Sequence, residues 1–177
     1  MIVWLNGTFG AGKTTTTRHL AGLLPGSYVF DAEQVGYLLR GVLAGRHPAR
    51  NFQEWHPWRS LVVATARELL GFTGGGPLII PQTVLTRAYW DELANGFATE
   101  PAVPVHHFVL HTDPDTLAHR ITTDTAPETS TPEARQWRLG HIERYTTALP
   151  WLRTEAHLID TTHTPPAEVA RTIAGRL

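Results

Sequence analysis

The run Gly7-Thr8-Phe9-Gly10-Ala11-Gly12-Lys13-Thr14 decides the fold, because it satisfies G-x-x-x-x-G-K-[ST] at every fixed position. Its context agrees. The apolar run Ile2-Val3-Trp4-Leu5 before it reads as a buried strand, and residues 13–24 read as a helix ended by Pro25-Gly26. Strand, glycine-rich turn and helix together make a phosphate cradle. Glycines let the backbone bring N–H groups close to phosphate oxygens, and the helix N-terminus adds partial positive charge. Lys13 is placed to reach the β- and γ-phosphates of ATP or GTP, and the Thr14 hydroxyl to ligate Mg²⁺. Thr15 extends the contact into the first helical turn. Among fifteen basic residues Lys13 is the sole lysine. A bias towards arginine with one exception suggests a place that needs a compact ammonium.

Outward from this motif the chain alternates strand and helix, which predicts a parallel sheet with helices on both faces. Strands are expected at 28–30, 78–80, 105–110 and 157–160, making five with the first. Helices are expected near 35–43, 58–70, 86–95, 114–123, 132–148 and 166–177. Residues 46–58 read as irregular, and the Thr/Pro-rich stretch 123–131 as a loop. The predicted fold is therefore a P-loop NTPase α/β unit, one domain over 1–177, with a mobile lid over roughly 120–138.

The bulk composition narrows the function classes. The chain has 177 residues, 42% hydrophobic and 18% charged, and a net charge of −1, so it can bury a sizeable core. Near-zero charge gives no case for nucleic acid or an anionic membrane as partner. Cysteine is absent, which excludes disulfides and thiolate metal sites. Met1 leads directly into the apolar run with no basic leader and nothing long enough to span a bilayer, so a cytoplasmic protein without stable membrane insertion is expected. The ten histidines show no zinc-ligand spacing.

Several residues point to phosphoryl transfer onto a small acceptor. Asp31 stands at the carboxyl end of the second strand, where open α/β sheets bind ligands, and could take the proton of an acceptor hydroxyl. Aspartate is also favoured at the start of the helix that follows. Arg120 and Arg138 flank the loop and could stabilise charge on a transferring phosphoryl group. Arg135 fits a solvated helix face better. Trp58 and Arg59, with His56, could line an acceptor pocket or pack in the core. Gln82 and Thr83 follow the strand at 78–80, which ends without the acidic residue of a Walker B site. That disfavours motor ATPases and GTPase switches. Asp160 and Thr161 follow the last strand and could meet the nucleobase, or form a plain turn.

The opening run from Ile2 to Thr14, with Tyr28-Val29-Phe30-Asp31 and Gly36, resembles tunicamycin resistance proteins. The likeness continues in Phe52-Gln53, Trp58-Arg59, Ile79-Ile80-Pro81-Gln82-Thr83 and Val105-His106-His107-Phe108, and weakens after Arg120. This resemblance implies a small P-loop kinase that uses ATP to protect a cell from a nucleoside-type antibiotic. In that reading Lys13, Asp31, Arg120 and Arg138 are catalytic, and Asp31, Trp58, Arg59, Gln82 and Thr83 contact the acceptor. Two other readings stay open: a protein that sequesters the drug without chemistry, and a metabolic nucleoside or sugar kinase.

Overall fold

The first strand, β1 (Ile2–Asn6), is buried along its whole length. Apolar residues on both of its faces require cover from helices on both sides of a parallel sheet. The computed structural model, which describes residues 1–127 and 129–177, shows this arrangement. β1 pairs in parallel with β3 (Leu78–Pro81) and with β4 (Val105–His111). β2 (Tyr28–Val29) lies outside β3, and β5 (His157–Asp160) outside β4, in the order β2-β3-β1-β4-β5. All pairings are parallel, so every strand's carboxyl end lies on one edge of the sheet.

Period-two alternation divides the core between the two faces. Ile2 and Trp4 point to a layer containing α3 (His56–Phe72) and α4 (Arg87–Ala98), where Trp4 meets Trp90 edge-on at 5.4 Å. Val3 and Leu5 point to the other layer, with α1 (Lys13–Leu23), α6 (Pro132–Glu155) and α7 (Pro166–Ala174). The remaining helices are α2 (Glu33–Leu43) and α5 (Pro114–Thr122). As expected, Pro114 and Pro132 occupy first-turn positions, and the Asp113 and Thr131 side chains cap those helices.

Among the helices that run further than predicted are α6 and α3. α6 continues to Glu155 through Pro150. Tyr145, Ala148 and Leu152 keep one buried face on either side of the proline, and this packing outweighs the lost backbone hydrogen bond. α3 begins at His56 because Pro57 suits a first helical turn, after a short 3-10 turn at Phe52–Glu54. Within the loop expected at 123–131, Glu128 lies outside the described residues. Among the described residues no helix is long and apolar enough to cross a membrane.

Candidate functional site

The loop between β1 and α1 is anchored by Asn6, a buried polar residue whose amide is fully engaged. Its Oδ1 accepts from the N–H groups of Gly7 (2.8 Å) and Val84 (2.9 Å), and its Nδ2 donates to Val84 O at 2.9 Å. Gly7, at φ 135°, passes so close to β4 that a Cβ there would stand 2.8 Å from Leu110 O. Gly12, at φ 91°, is the left-handed residue from which α1 starts. No side chain caps α1 and its first turn holds no acidic group, so its N–H groups face a ligand's anion without a competitor of the chain's own. These features fit a phosphate group.

Lys13 is drawn back onto the loop. Its Nζ donates to Gly7 O at 2.9 Å and to Thr8 O at 3.1 Å. Burial lowers its pKa to about 8; the Glu33 charge opposes this shift and the Arg138 charge adds to it. Thr14 and Thr15 are exposed on the first turn of α1, with the Thr14 hydroxyl available to hold Mg²⁺ beside a phosphate. Phe9 packs its ring against Trp137 at 4.8 Å and against His141 at 5.1 Å, which ties the loop to α6.

Arg120, from α5, joins the loop to the segment after β5. Its guanidinium donates to Gly10 O (3.1 Å), Thr161 O (2.8 Å) and Thr162 O (3.0 Å). Beside it a cavity of about 340 Å³ is lined by Gly10, Gly12, Thr15, Arg120, Thr161 and Pro166. Thus Ala11, Gly12, Thr15, Arg120 and Thr161, all singled out from sequence for nucleotide contact, share one recess at the head of α1. Asp160 does not line it. Its carboxylate accepts from the Thr162 N–H at 2.8 Å and organises the turn.

Arg138 lies 5.9 Å from the Phe9 ring and makes a 2.6 Å ion pair with Asp124. The Ala126 N–H, the Thr129 hydroxyl and Arg138 hold the Asp124 carboxyl at about 2, well below its ordinary range. Arg135, expected on a solvated face, donates to Asp124 O at 2.9 Å. Both arginines leave a buried Nε without a partner among the described residues.

At the same carboxyl edge of the sheet Asp31 is exposed just beyond β2. Its Oδ1 accepts from the Glu33 N–H and its Oδ2 from the Gln34 amide, each at 3.0 Å. Both carboxylate oxygens thus serve the turn into α2. Glu33 was missed. Partial burial and the Asp31 charge raise its pKa, while Lys13 pulls it down, so it belongs to the same electrostatic cluster. Its position two residues beyond Asp31 at a strand end was the available signal.

Of the residues expected to line an acceptor pocket, Arg59 and His56 border a cavity of about 820 Å³ between α3 and α4, whereas Trp58 does not. Trp58 is fully buried, and its indole donates to Ala32 O at 3.0 Å, supporting the Asp31 turn from the core. Arg59 is buried in a forked pair with Glu92 and also donates to Gln53 O. Gln82 is buried with Oε1 unpartnered among the described residues, and the Thr83 hydroxyl donates to Gly7 O at 2.6 Å. No group of three or more potential metal-ligating side chains occurs among the described residues.

A family model described as an AAA domain matches residues 2–148. The chain belongs to that family. Within the same fold it is 32% identical to the tunicamycin resistance protein of Deinococcus radiodurans, with a TM-score of 0.77, covering 99% of this chain and 94% of that one. The shikimate kinase of Acinetobacter baumannii, solved with shikimate, is 21% identical with a TM-score of 0.62, over 97% and 89% of the two chains. A gluconokinase from Sinorhizobium meliloti is 18% identical with a TM-score of 0.60, over 98% and 91%. These two show that the fold is that of P-loop kinases. No curated protein sequence matches the chain.

Proposed function

We propose that this protein is a kinase that transfers the γ-phosphoryl group of ATP or GTP to a hydroxyl of a nucleoside-type antibiotic or a similar small metabolite. The observation that carries this reading is the uncapped head of α1, which follows β1 at the same carboxyl edge of the parallel sheet where Asp31 and Glu33 follow β2. One side suits phosphates, and the other suits a hydroxyl that must lose a proton. The likeness to the tunicamycin resistance protein supports the antibiotic class, and the fold shared with shikimate kinase and gluconokinase supports a hydroxyl acceptor.

In the proposed reaction the acceptor oxygen forms a bond to the γ-phosphorus as the bond to the bridging oxygen breaks, releasing the nucleoside diphosphate. The acceptor proton passes to Asp31. Lys13 and the loop N–H groups hold the phosphates, Arg120 shapes the nucleotide side, and Arg138, 5.9 Å from the Phe9 ring, brings a further cation to the loop. Mg²⁺, bound with the nucleotide through Thr14, would neutralise charge on the phosphate oxygens. Positioning and fixed charge supply most of the acceleration. The requirement for a nucleoside triphosphate suits a cytoplasmic protein.

Mass spectrometry of a panel of nucleoside antibiotics, nucleosides and sugars after incubation with Mg·ATP or Mg·GTP tests this directly. A gain of one phosphate on an antibiotic supports the proposal, whereas phosphorylation of a common metabolite alone reassigns the acceptor. Tight binding of unchanged drug would make the protein a sequestering one and refute the kinase. Asp31→Asn is expected to lower turnover by roughly 10²–10⁴, the scale of a lost general base, with nucleotide still bound. Near-normal turnover would remove Asp31 from the role, and Glu33→Gln measured alongside shows whether the neighbouring carboxylate fills it.

A further inference from the structure

Lys13 has three donors and gives two of them to loop carbonyls, so gripping both the β- and γ-phosphates requires it to release at least one of these partners. Those partners are the carbonyls of Gly7, at 2.9 Å, and Thr8, at 3.1 Å, and both residues are buried. A buried carbonyl stripped of its donor costs the full desolvation of that group, so abandoning them would oppose nucleotide binding. Each carbonyl already has a second donor. Thr8 O also accepts from the Ala11 N–H at 3.4 Å. Gly7 O also accepts from the Thr83 hydroxyl, at 2.6 Å.

The donor to Gly7 comes from across the crevice, on the segment that follows β3, and that segment is held from two directions. Asn6 clamps both backbone groups of Val84, each at 2.9 Å. Gln53 donates through its amide to Thr83 O, and Arg59 donates to Gln53 O while Glu92 grips it at 2.6 and 3.1 Å. An unbroken series of hydrogen bonds thus runs from Glu92 through Arg59, Gln53 and Thr83 to the carbonyl that holds Lys13. Here Arg59 and Thr83, both expected to contact an acceptor, are joined through Gln53 to the phosphate side.

We propose that Thr83 is a positioning residue for Lys13: its hydroxyl keeps Gly7 O satisfied when the ammonium moves to the phosphates, which makes that movement inexpensive. Gln53 and Arg59 hold Thr83 in place for this task. The inference rests on the nucleotide reading proposed above, and it assigns Thr83 an effect on nucleotide affinity before any acceptor is present.

Calorimetric titration of Mg·ATP into the wild type, Thr83→Val and Thr83→Ser is the test. Valine keeps the shape and removes the donor, so Gly7 O is left unsatisfied only in the bound state; the dissociation constant should rise about five- to tenfold. Serine restores the donor and should bind within about twofold of wild type, which separates the hydroxyl from any effect of packing. If valine fails to fold, Thr83→Ala removes the same hydroxyl and is expected to show the same loss. Equal binding by the donor-deleted variant and the wild type overturns the inference and leaves the nucleotide reading standing. Equal weakening in the serine and donor-deleted variants also overturns it. A wild type that binds no triphosphate overturns both together.

Discussion

Raising the pH from about 7 to about 9 should loosen the grip on nucleotide, because the lysine that makes the grip titrates in that interval. Lys13 is the sole lysine of the chain, and burial brings its pKa down to about 8 in the free protein. Phosphate oxygens favour the ammonium form, so bound nucleotide raises this pKa and binding takes up protons. About nine-tenths of the lysines are charged at about pH 7 and about one-tenth at about pH 9, so affinity for Mg·ATP falls by up to about tenfold. Near pH 8 roughly half a proton should enter per nucleotide bound. The charged groups coupled to Lys13 are Glu33, which holds its pKa up, and Arg138, which pushes it down. Glu33→Gln should therefore move the midpoint to lower pH. Titration calorimetry in buffers of different ionisation enthalpy measures both affinity and proton uptake. Lys13→Met, a neutral side chain of similar length, should bind weakly at every pH. A wild-type affinity that stays flat across the interval, with no proton uptake, would refute the assignment of Lys13 to the phosphates.

Two further outcomes concern stability. Gly36→Ala should destabilise the fold by about 1–3 kcal/mol, read as a lowered melting temperature, because the new methyl group overpacks the α2 contact. Its Cβ would stand 2.1 Å from Phe52 Cδ2, so Phe52→Ala in the same chain should recover part of the loss. His107 is held neutral by burial, with a pKa lowered to about 3, and stacks on Trp90 at 3.8 Å. The unfolded chain protonates this histidine below its ordinary value of 6.5 while the folded chain resists. Its contribution is thus present above that value and lost as pH falls towards 3, at up to about 1.4 kcal/mol per pH unit. Urea denaturation of His107→Gln should show a shallower loss of stability with acid than the wild type, and equal slopes would rule the histidine out.

Read alone, the sequence determined the parts whose physics is local. An eight-residue phosphate loop needs its glycines, its lysine and its hydroxyl at fixed spacing, and the flanking apolar strand and helix follow from periodicity. The helix starts at Asp113-Pro114 and Thr131-Pro132 were legible for the same reason, since a cap acts within one turn. The tertiary structure decided what depends on partners far apart in the chain. The course of α6 through Pro150 was set by packing of Leu152, which no local propensity records. Asp31 could be read as a base or as a helix start, because the choice depends on groups that only the folded chain brings beside it. Trp58 and Arg59 both looked able to line a pocket, and only the tertiary structure separates them, burying Trp58 against Ala32 O and placing Arg59 with Glu92 at the wall of a cavity. Thr83 lies seventy-six residues from Gly7, and its hydroxyl meets that carbonyl only because β1 and β3 are neighbours in the sheet. Spacing along a chain reports hydrogen bonds within one turn or one loop. Those made across a sheet exist only once the strands have found their order.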